Sequence, residues 1–481
     1  MAGRLLLVIV GISLLVGAMA LAPVLAVSVL YRDGLAFQHA ALLVLCLALG
    51  LPLVLAFPLD RVLLRVRDGF VLVTALWLGV SLIGAVPLVL GADLGAVDAL
   101  FESVSGVTTT GATVILGIDR LPPSLLIHRQ MLQWIGGIGI IVSGIALLPI
   151  LGVGGMQLFK AETPGPIKDE KLTPRLVQTA RSLWRVYVVL TAGCALAYWL
   201  AGMDGFDAVA HALSTVSTGG FSTHDASLGW FASPAIEWVS MVFMSLGAVS
   251  FAVHYTVWRT RELGRYWRDA QTRVFALLML AAIVVCATIL WVTGHHEHPL
   301  RALRHAAFEV ISVQTSTGFG VDDFSTWPLA LPVLLVFISF VGGCAGSTSG
   351  GIKVIRFQVL SGQASLHLRR LVHPRIVNCL KIDGRVVPAD VSEAVWAYFT
   401  LYVVLFALLM LVLMSDGLDQ VTAFGAVATC LNNLGPGLGA VATHFADVDT
   451  VGKLLLSAAM LLGRLEIFTV LVLLSPDFWH R

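Results

Sequence analysis

Apolar residues run along this chain in long unbroken stretches, and the polar residues between them recur in a fixed pattern. A first stretch follows Arg4 and continues to residue 30, and a second covers about residues 36–57. Each is long enough to cross a bilayer core of ~30 Å. From there a unit repeats four times: a long apolar stretch, a short one, a loop of glycines and hydroxyls, and a second long stretch. In the first unit these are about residues 70–90, 97–107, the loop at Gly111, and 125–151. The later units run over about 183–258, 274–359 and 395–474. The period is far too long for a solenoid repeat. The short stretches are about three helical turns, roughly 17 Å at 1.5 Å per residue, so they do not span the core. Their length predicts re-entrant half-helices whose C-terminal ends point at the loops. The pattern predicts an all-α polytopic membrane protein. Two N-terminal transmembrane helices (residues 1–68) precede four helix–re-entrant pore loop–helix repeats (69–160, 161–262, 263–375 and 376–481) around a pseudo-fourfold pore.

The four loops are built alike. The first reads GVTTTGAT over residues 106–113, the second STGGFS over 217–222, the third STGFG over 316–320 and the fourth NNLGPG over 432–437. Asp98, Asp207, His305 and Thr422 each stand thirteen residues before Gly111, Gly220, Gly318 and Gly435, which aligns Gly220, with Gly219 one place before it. Glycine permits φ > 0, so successive carbonyls can be turned to one side without a Cβ clash. The flanking hydroxyls can hold that shape by bonding the backbone. Any one copy is an ordinary turn. Four at matched positions are more, because non-helical backbone at membrane depth survives only where it is buried in protein or lines a water-filled path. Around one axis they would present rings of carbonyl oxygens, the means by which potassium filters replace an ion's hydration shell.

Composition agrees with a membrane protein. Of 481 residues 58% are hydrophobic and 12% charged, with mean hydropathy +0.90, outside the soluble norm. The net charge of +1 says nothing about partners, whereas its distribution does. Lys160, Lys168, Lys171, Arg175 and Arg181 fall between the first two units. Arg259, Arg261, Arg265, Arg268 and Arg273 fall between the next two, and Lys353, Arg356, Arg369, Arg370, Arg375, Lys381 and Arg385 before the last. The loop regions hold mainly acids, among them Asp98, Glu102, Asp119, Asp207, Glu237, Asp322 and Asp449. Excess Lys and Arg marks cytoplasmic joints, which puts the glycine loops outside and both termini in the cytoplasm. Ala18-Met19-Ala20 resembles a signal cleavage site, but the apolar run continues past it, so a retained helix is expected. The six cysteines lack CxxC spacing and read as small buried hydrophobes. His295, His296 and His298 lack the HExxH spacing and read as a solvated loop before Pro299. With no nucleophile–base pair, Walker motif or flanked phosphate loop, an enzyme is not expected, nor is a nucleic-acid partner.

The four motifs in this order resemble the Trk/Ktr/HKT superfamily of potassium transporters, and most closely the membrane subunit of the bacterial Trk system. The resemblance covers essentially the whole chain, including the two extra N-terminal helices. It implies potassium as the transported ion, with no covalent or organic cofactor, and a selectivity filter at Thr110, Gly111, Gly219, Gly220, Thr317, Gly318, Leu434 and Gly435. Relatives with serine at the first filter glycine tend to carry sodium, whereas this chain has Gly111. Asn433-Leu434-Gly435 departs from the Thr/Ser-Gly pattern in the way the Trk membrane subunit does. The run GGCAGSTSGGIK over 342–353 is similar to the family's intramembrane loop, which interrupts the second helix of the third unit below the filter. GRLE at 463–466 is similar to a charged signature in the last helix. A gate formed by Gly342, Gly343, Gly346, Gly350, Gly351 and Arg464 follows from that resemblance.

The residues alone support a broken helix there, at up to ~1 kcal/mol per glycine relative to alanine. A close helix-packing surface of small residues is the alternative. Arg464 lies near the middle of the final apolar run and must be paired or mark a pathway. Glu466, two residues on, lies on a different helix face. The loop's free carbonyls or an ion pair with another unit are the candidate partners for Arg464. The resemblance further implies a homodimer in a bacterial inner membrane, in contact with lipid, and a cytosolic nucleotide-binding ring of the TrkA type. The rival function is a sodium/potassium or proton-coupled secondary transporter with substrate at broken helices. Such folds usually show two related halves, not four quarters.

Overall fold

The computed structural model describes residues 2–57, 66–143, 172–375 and 379–479, without the side chains of residues 2, 66 and 172–177. Lys160, Lys168, Lys171 and the side chain of Arg175 thus lie outside the described residues, as do the last residues of the first return helix. The chain is helical almost throughout. α1 (Ala2–Tyr31) and α2 (Ala36–Ala56) form an antiparallel pair that precedes the rest. α1 is continuous through Ala18-Met19-Ala20, and its Ala20 and Val24 pack on Ile127, Met131 and Ala210.

The four units follow in order. The first holds α3 (Val66–Gly91), the short α4 (Ala96–Val107) and α5 (Pro123–Val142). The second holds α6 (Leu172–Leu200), the short α7 (Gly205–Val216), and α8 (Pro234–Ala248) with α9 (Phe251–Thr260). After α10 (Gly264–Arg268) the third holds α11 (Ala270–Val292), the short α12 (Pro299–Gln314), and α13 (Leu331–Val341) with α14 (Val354–Val372). A two-stranded hairpin, β1 (Lys381–Ile382) with β2 (Arg385–Val386), leads into the fourth. That unit holds α15 (Ala389–Ser415), the short α16 (Gln420–Asn432), and α17 (Thr450–Arg464) with α18 (Ile467–Leu474); α19 (Pro476–Trp479) follows. Among the described residues seven helices are long and apolar enough to cross a membrane, or nine if each bent pair is one span.

Both bent pairs turn sharply. α8 and α9 meet at 99°, and α17 and α18 at 115°. The sequence reading expected a break in the third unit only. Apolar periodicity does not reveal a bend, because each half alone is a sound apolar helix. Arg464 therefore ends a helix instead of sitting inside one, and Glu466 stands at the break with φ +62°.

The short helices are the buried centre. Seven consecutive residues of α7, from Ala210 on to Val216, are buried, and the other three are similarly enclosed. Acids cap the N-termini of two of the short helices, α7 and α16. Asp204 accepts from the Asp207 N–H at 2.7 Å, and Asp419 accepts from the Val421 and Thr422 N–H groups at 3.0 and 3.2 Å. Such caps stabilise a helix start by ~1 kcal/mol and suit the positive end of its dipole. Part of the acidity of the loop regions is thus helix capping. Glu102, Asp207 and Glu237 are buried and serve internal contacts, so they are not the solvated loop charges expected from sequence. Likewise Arg356 is buried and paired with Glu466, and Lys353 is half-buried, so neither is a solvated joint charge. Cys379 is exposed, whereas the other five cysteines are buried as expected.

Candidate functional site

All four short helices end in the same way. The residue after the last turn is left-handed: Thr109 (φ 54°), Thr218 (51°), Ser316 (54°) and Asn433 (55°). The next N–H reaches back five residues, Thr110 to Ser105 O at 2.8 Å, Gly219 to Ser214 O at 2.8 Å, Thr317 to Ser312 O at 2.8 Å and Leu434 to Thr429 O at 2.9 Å. This is the Schellman-type stop that satisfies orphan carbonyls at a helix end. In three loops a glycine with positive φ follows: Gly111 (83°), Gly220 (79°) and Gly318 (84°). The alignment of Gly220 with the other two is therefore also an alignment of backbone shape. Gly435 lacks a positive φ, because Pro436 follows and disfavours helical backbone at the residue before it.

The loops close on one another. A methyl on Gly111 would run into Gly219 O, and one on Gly220 into Thr317 O. One on Gly318 would lie 2.9 Å from Gly435 N, and one on Gly435 would lie 2.8 Å from Gly111 O. The order is first to second, second to third, third to fourth, fourth to first: a ring. Thr110, Gly219, Thr317 and Leu434 are buried in it, and Gly111, Gly220 and Gly318 are half-buried. Among the described residues no donor reaches the carbonyl oxygens of Thr110, Gly111, Gly220, Thr317, Gly318, Leu434 or Gly435. Buried carbonyls are ordinarily paired, so a cluster of unpaired ones is a place for a cation or water.

Side chains outside the expected filter set hold the ring. Gln133 on α5 donates to Gly219 O at 2.6 Å and accepts from the Phe221 N–H at 3.1 Å. Asn433 donates to Thr110 Oγ1 at 3.0 Å, tying the fourth loop to the first. Glu102 accepts from Val114 N–H at 2.9 Å and from Arg129 at 2.9 Å, a fully buried pair. Glu309 accepts from the Val321 and Asp322 N–H groups at 2.9 and 3.1 Å. Glu102 and Glu309 each stand nine residues before a ring glycine, so the spacing carried the signal. The residues thirteen before the glycines reach further out: Asp207 accepts from Thr223 at 2.7 Å, Thr422 accepts from the Ala440 N–H at 3.0 Å, and Asp98 pairs with Lys453 at 2.7 Å.

A vestibule of about 430 Å³ opens on one side of the ring, touching Gly111, Gly220, Gly318 and Gly435. On the other side lies a cavity of about 20 Å³, bounded by Gly346, Gly350, Lys353, Asn433 and Arg464, with room for about one water. Between the cavities and the broken helices runs the segment 342–353. Its N–H groups at Cys344 and Thr348 donate to Ala248 O and Gly247 O at 2.9 and 3.2 Å, and its Gly346 O accepts from Phe251 N–H at 3.0 Å. The third unit thereby satisfies the backbone groups orphaned by the bend between α8 and α9. Gly351 N–H donates to Asn432 O at 3.0 Å, and Thr348 Oγ1 to Val216 O at 3.1 Å. Gly350 and Ser349 meet Ser316. The segment is thus seated against the ends of the second, third and fourth short helices.

Arg464 Nη1 donates to Thr348 O at 2.8 Å. Its Nε and Nη2 have no partner among the described residues. Glu466, turned away by the bend, pairs with Arg356, whose guanidinium also lies 4.0 Å from the Tyr398 ring centre. Lys353 Nζ bonds Ser349 O, so two cationic side chains face the small cavity. The sequence reading put Lys353 in a cytoplasmic joint, because the turn that folds it back is a tertiary feature. In the 295–298 cluster His295, Glu297 and His298 are exposed as expected, whereas His296 is buried.

The comparisons with known proteins agree with this architecture. The TrkH family model, that of a cation transport protein, matches residues 36–481. The Trk system potassium uptake protein TrkH of Halomonas elongata is 48% identical over 480 residues, 99% of each chain. That of Escherichia coli K12 is 46% identical over 95% of each chain. The crystal structure of the potassium transporter TrkH from Vibrio parahaemolyticus superposes with a TM-score of 0.92 at 43% identity over 100% of both chains. Its relatives are transport proteins, not enzymes, and this chain belongs to the TrkH family of cation transport proteins.

Proposed function

We propose that this chain takes up potassium across a bacterial inner membrane, through a selectivity filter formed by Thr110, Gly111, Gly219, Gly220, Thr317, Gly318, Leu434 and Gly435. The observation that carries the reading is the closed ring of four loops with unpaired carbonyls. Four helix C-terminal ends converge on it, and each adds negative potential, worth up to ~2 kcal/mol for a partly buried cation. Carbonyls held by Gln133, Glu102, Glu309 and Asn433 can replace a hydration shell without collapsing inward. The related proteins named above are potassium uptake proteins, which supports the choice of ion.

The segment with Gly342, Gly343, Gly346, Gly350 and Gly351, together with Arg464 and Lys353, is the gate. It narrows the path below the ring to about 20 Å³ and puts positive charge there. The vestibule faces outward and both termini inward, because Arg259, Arg261, Arg369, Arg370 and Arg375 lie on the opposite side of the sequence pattern from the loops. Each of the four units is one quarter of the pore, and the protein works as a homodimer in lipid with a TrkA-type cytosolic ring docked on those basic joints. The test is flux through the purified protein in liposomes. Rubidium should pass nearly as well as potassium and sodium poorly, and equal passage of all three would refute the filter.

A further inference from the structure

Three pieces of chain that are apart in sequence meet at one carboxylate on the outer side. The turn between α11 and α12 brings His295 and His296, α12 brings His305, and the limb after the third loop brings Asp322. Asp322 Oδ2 lies 3.3 Å from His296 Nε2 and 3.3 Å from His305 Nδ1. The rings of His296 and His305 are 4.6 Å apart, and those of His295 and His296 5.0 Å. Donor atoms of His295, His296 and Asp322 all fall within 4.8 Å of one another.

His296 and His305 are only 9% and 7% exposed, yet Nε2 of the first and Nδ1 of the second make no hydrogen bond among the described residues. A charge-assisted hydrogen bond would close to ~2.7–2.9 Å. A spacing of 3.3 Å matches instead the edge of a tetrahedron whose centre is ~2.0–2.1 Å from each corner, the Zn–N and Zn–O distances. Asp322 is also oriented from behind: its Oδ1 accepts from the Asp323 N–H at 3.0 Å and its Oδ2 from Trp327 Nε1 at 3.3 Å. Outer contacts of that kind fix ligating carboxylates.

We propose that this cluster is a binding site for a divalent transition-metal ion of the zinc class, with His295, His296 and Asp322, whose donor atoms lie together, as ligands and His305, beside the same carboxylate oxygen, as the fourth. Imidazoles with one carboxylate suit zinc, copper or nickel, whereas calcium and magnesium take oxygen ligands. The ion would clasp the turn before α12 to the limb after the third loop. Asp322 also lines the vestibule, four residues beyond Gly318. A dication on it reverses the local charge and lowers the cation concentration at the mouth, so external zinc reduces inward flux. That consequence rests on the ring being the ion path; the site does not.

The test titrates the full-length purified protein with Zn²⁺ by calorimetry, with Co²⁺ absorption as a probe of tetrahedral geometry and Mg²⁺ as the control. One saturable Zn²⁺ site per chain and a tetrahedral Co²⁺ spectrum are expected, with no response to Mg²⁺. His296→Ala and Asp322→Asn should each weaken Zn²⁺ by at least the ~10- to 100-fold that losing an outer-shell partner costs. His305→Gln, close in volume, serves where either variant fails to elute as the parent does. The absence of saturable binding by the parent, or unchanged affinity in the folded variants, overturns the site. Rubidium uptake into liposomes separates the two readings. Zinc that binds through these residues without slowing uptake keeps the site and removes its effect on flux. Uptake with the expected selectivity but no zinc binding keeps the filter and removes the site.

Discussion

At the scale of single residues, the ring glycines act through what touches them. Gly111 combines φ +83° with a Cβ direction blocked by Gly219 O. Serine there carries ~1–2 kcal/mol of left-handed strain and must displace the second loop as well. Gly111→Ser should therefore raise sodium passage relative to potassium, measured as paired rubidium and sodium uptake into liposomes. Unchanged discrimination would count heavily against placing that loop in the filter. Gln133 offers an independent handle, since from another helix it bonds the Gly219 carbonyl and the Phe221 N–H on either side of Gly220. Gln133→Leu keeps the bulk but leaves the buried Phe221 N–H unpaired, at about 1–3 kcal/mol. Its expected signature is a lower melting temperature together with weaker selectivity, and a variant with a parental melting temperature and parental selectivity would deny it a supporting role.

At the scale of elements, the broken helices and the 342–353 segment form one unit. The segment fills the gap that the α8–α9 bend opens, and Arg464 at the end of α17 holds Thr348 O. A charge-assisted hydrogen bond is worth ~1.5–3 kcal/mol. Its loss shifts a closed-to-open ratio by roughly ten- to a hundredfold at 1.4 kcal/mol per decade. Arg464→Ala and a partial deletion within 346–350 should both raise resting potassium flux with selectivity largely intact. Two variants that fold, reach the membrane and conduct no more than the parent would remove the gate. Arg464→Lys separates a latch from simple repulsion, because it keeps the charge and loses the planar fork of donors. High flux in Arg464→Lys favours the latch, and parental flux favours repulsion by the pair with Lys353.

At the scale of the whole molecule, the charge asymmetry predicts an orientation, with the loops outside. Asp323 is exposed beyond the third loop, and Leu371 is exposed at the far end of α14 beside Arg370. Cys379 is exposed and would report by itself, so the labelling background needs Cys379→Ser. In that background an impermeant maleimide should modify Asp323→Cys in intact cells and Leu371→Cys only after permeabilisation. The reverse order would overturn the assignment of sides, while leaving the ring as it is.

The sequence by itself determined the helical class, the short central helices and the glycines that follow them. Each of these is local: an apolar run of given length, a left-handed stop, a residue at a matched offset. It also marked Arg464 as a charge in need of a partner, since an apolar run makes the cost visible. Only the tertiary structure decided which partner that is, that the return helices of the second and fourth units are bent, and that Lys353 and Arg356 are interior. Bends depend on neighbours that satisfy the freed backbone groups, and here the neighbour is a segment about a hundred residues away. The same holds for His296, which is one of four polar residues in a turn until Asp322 and His305 arrive beside it.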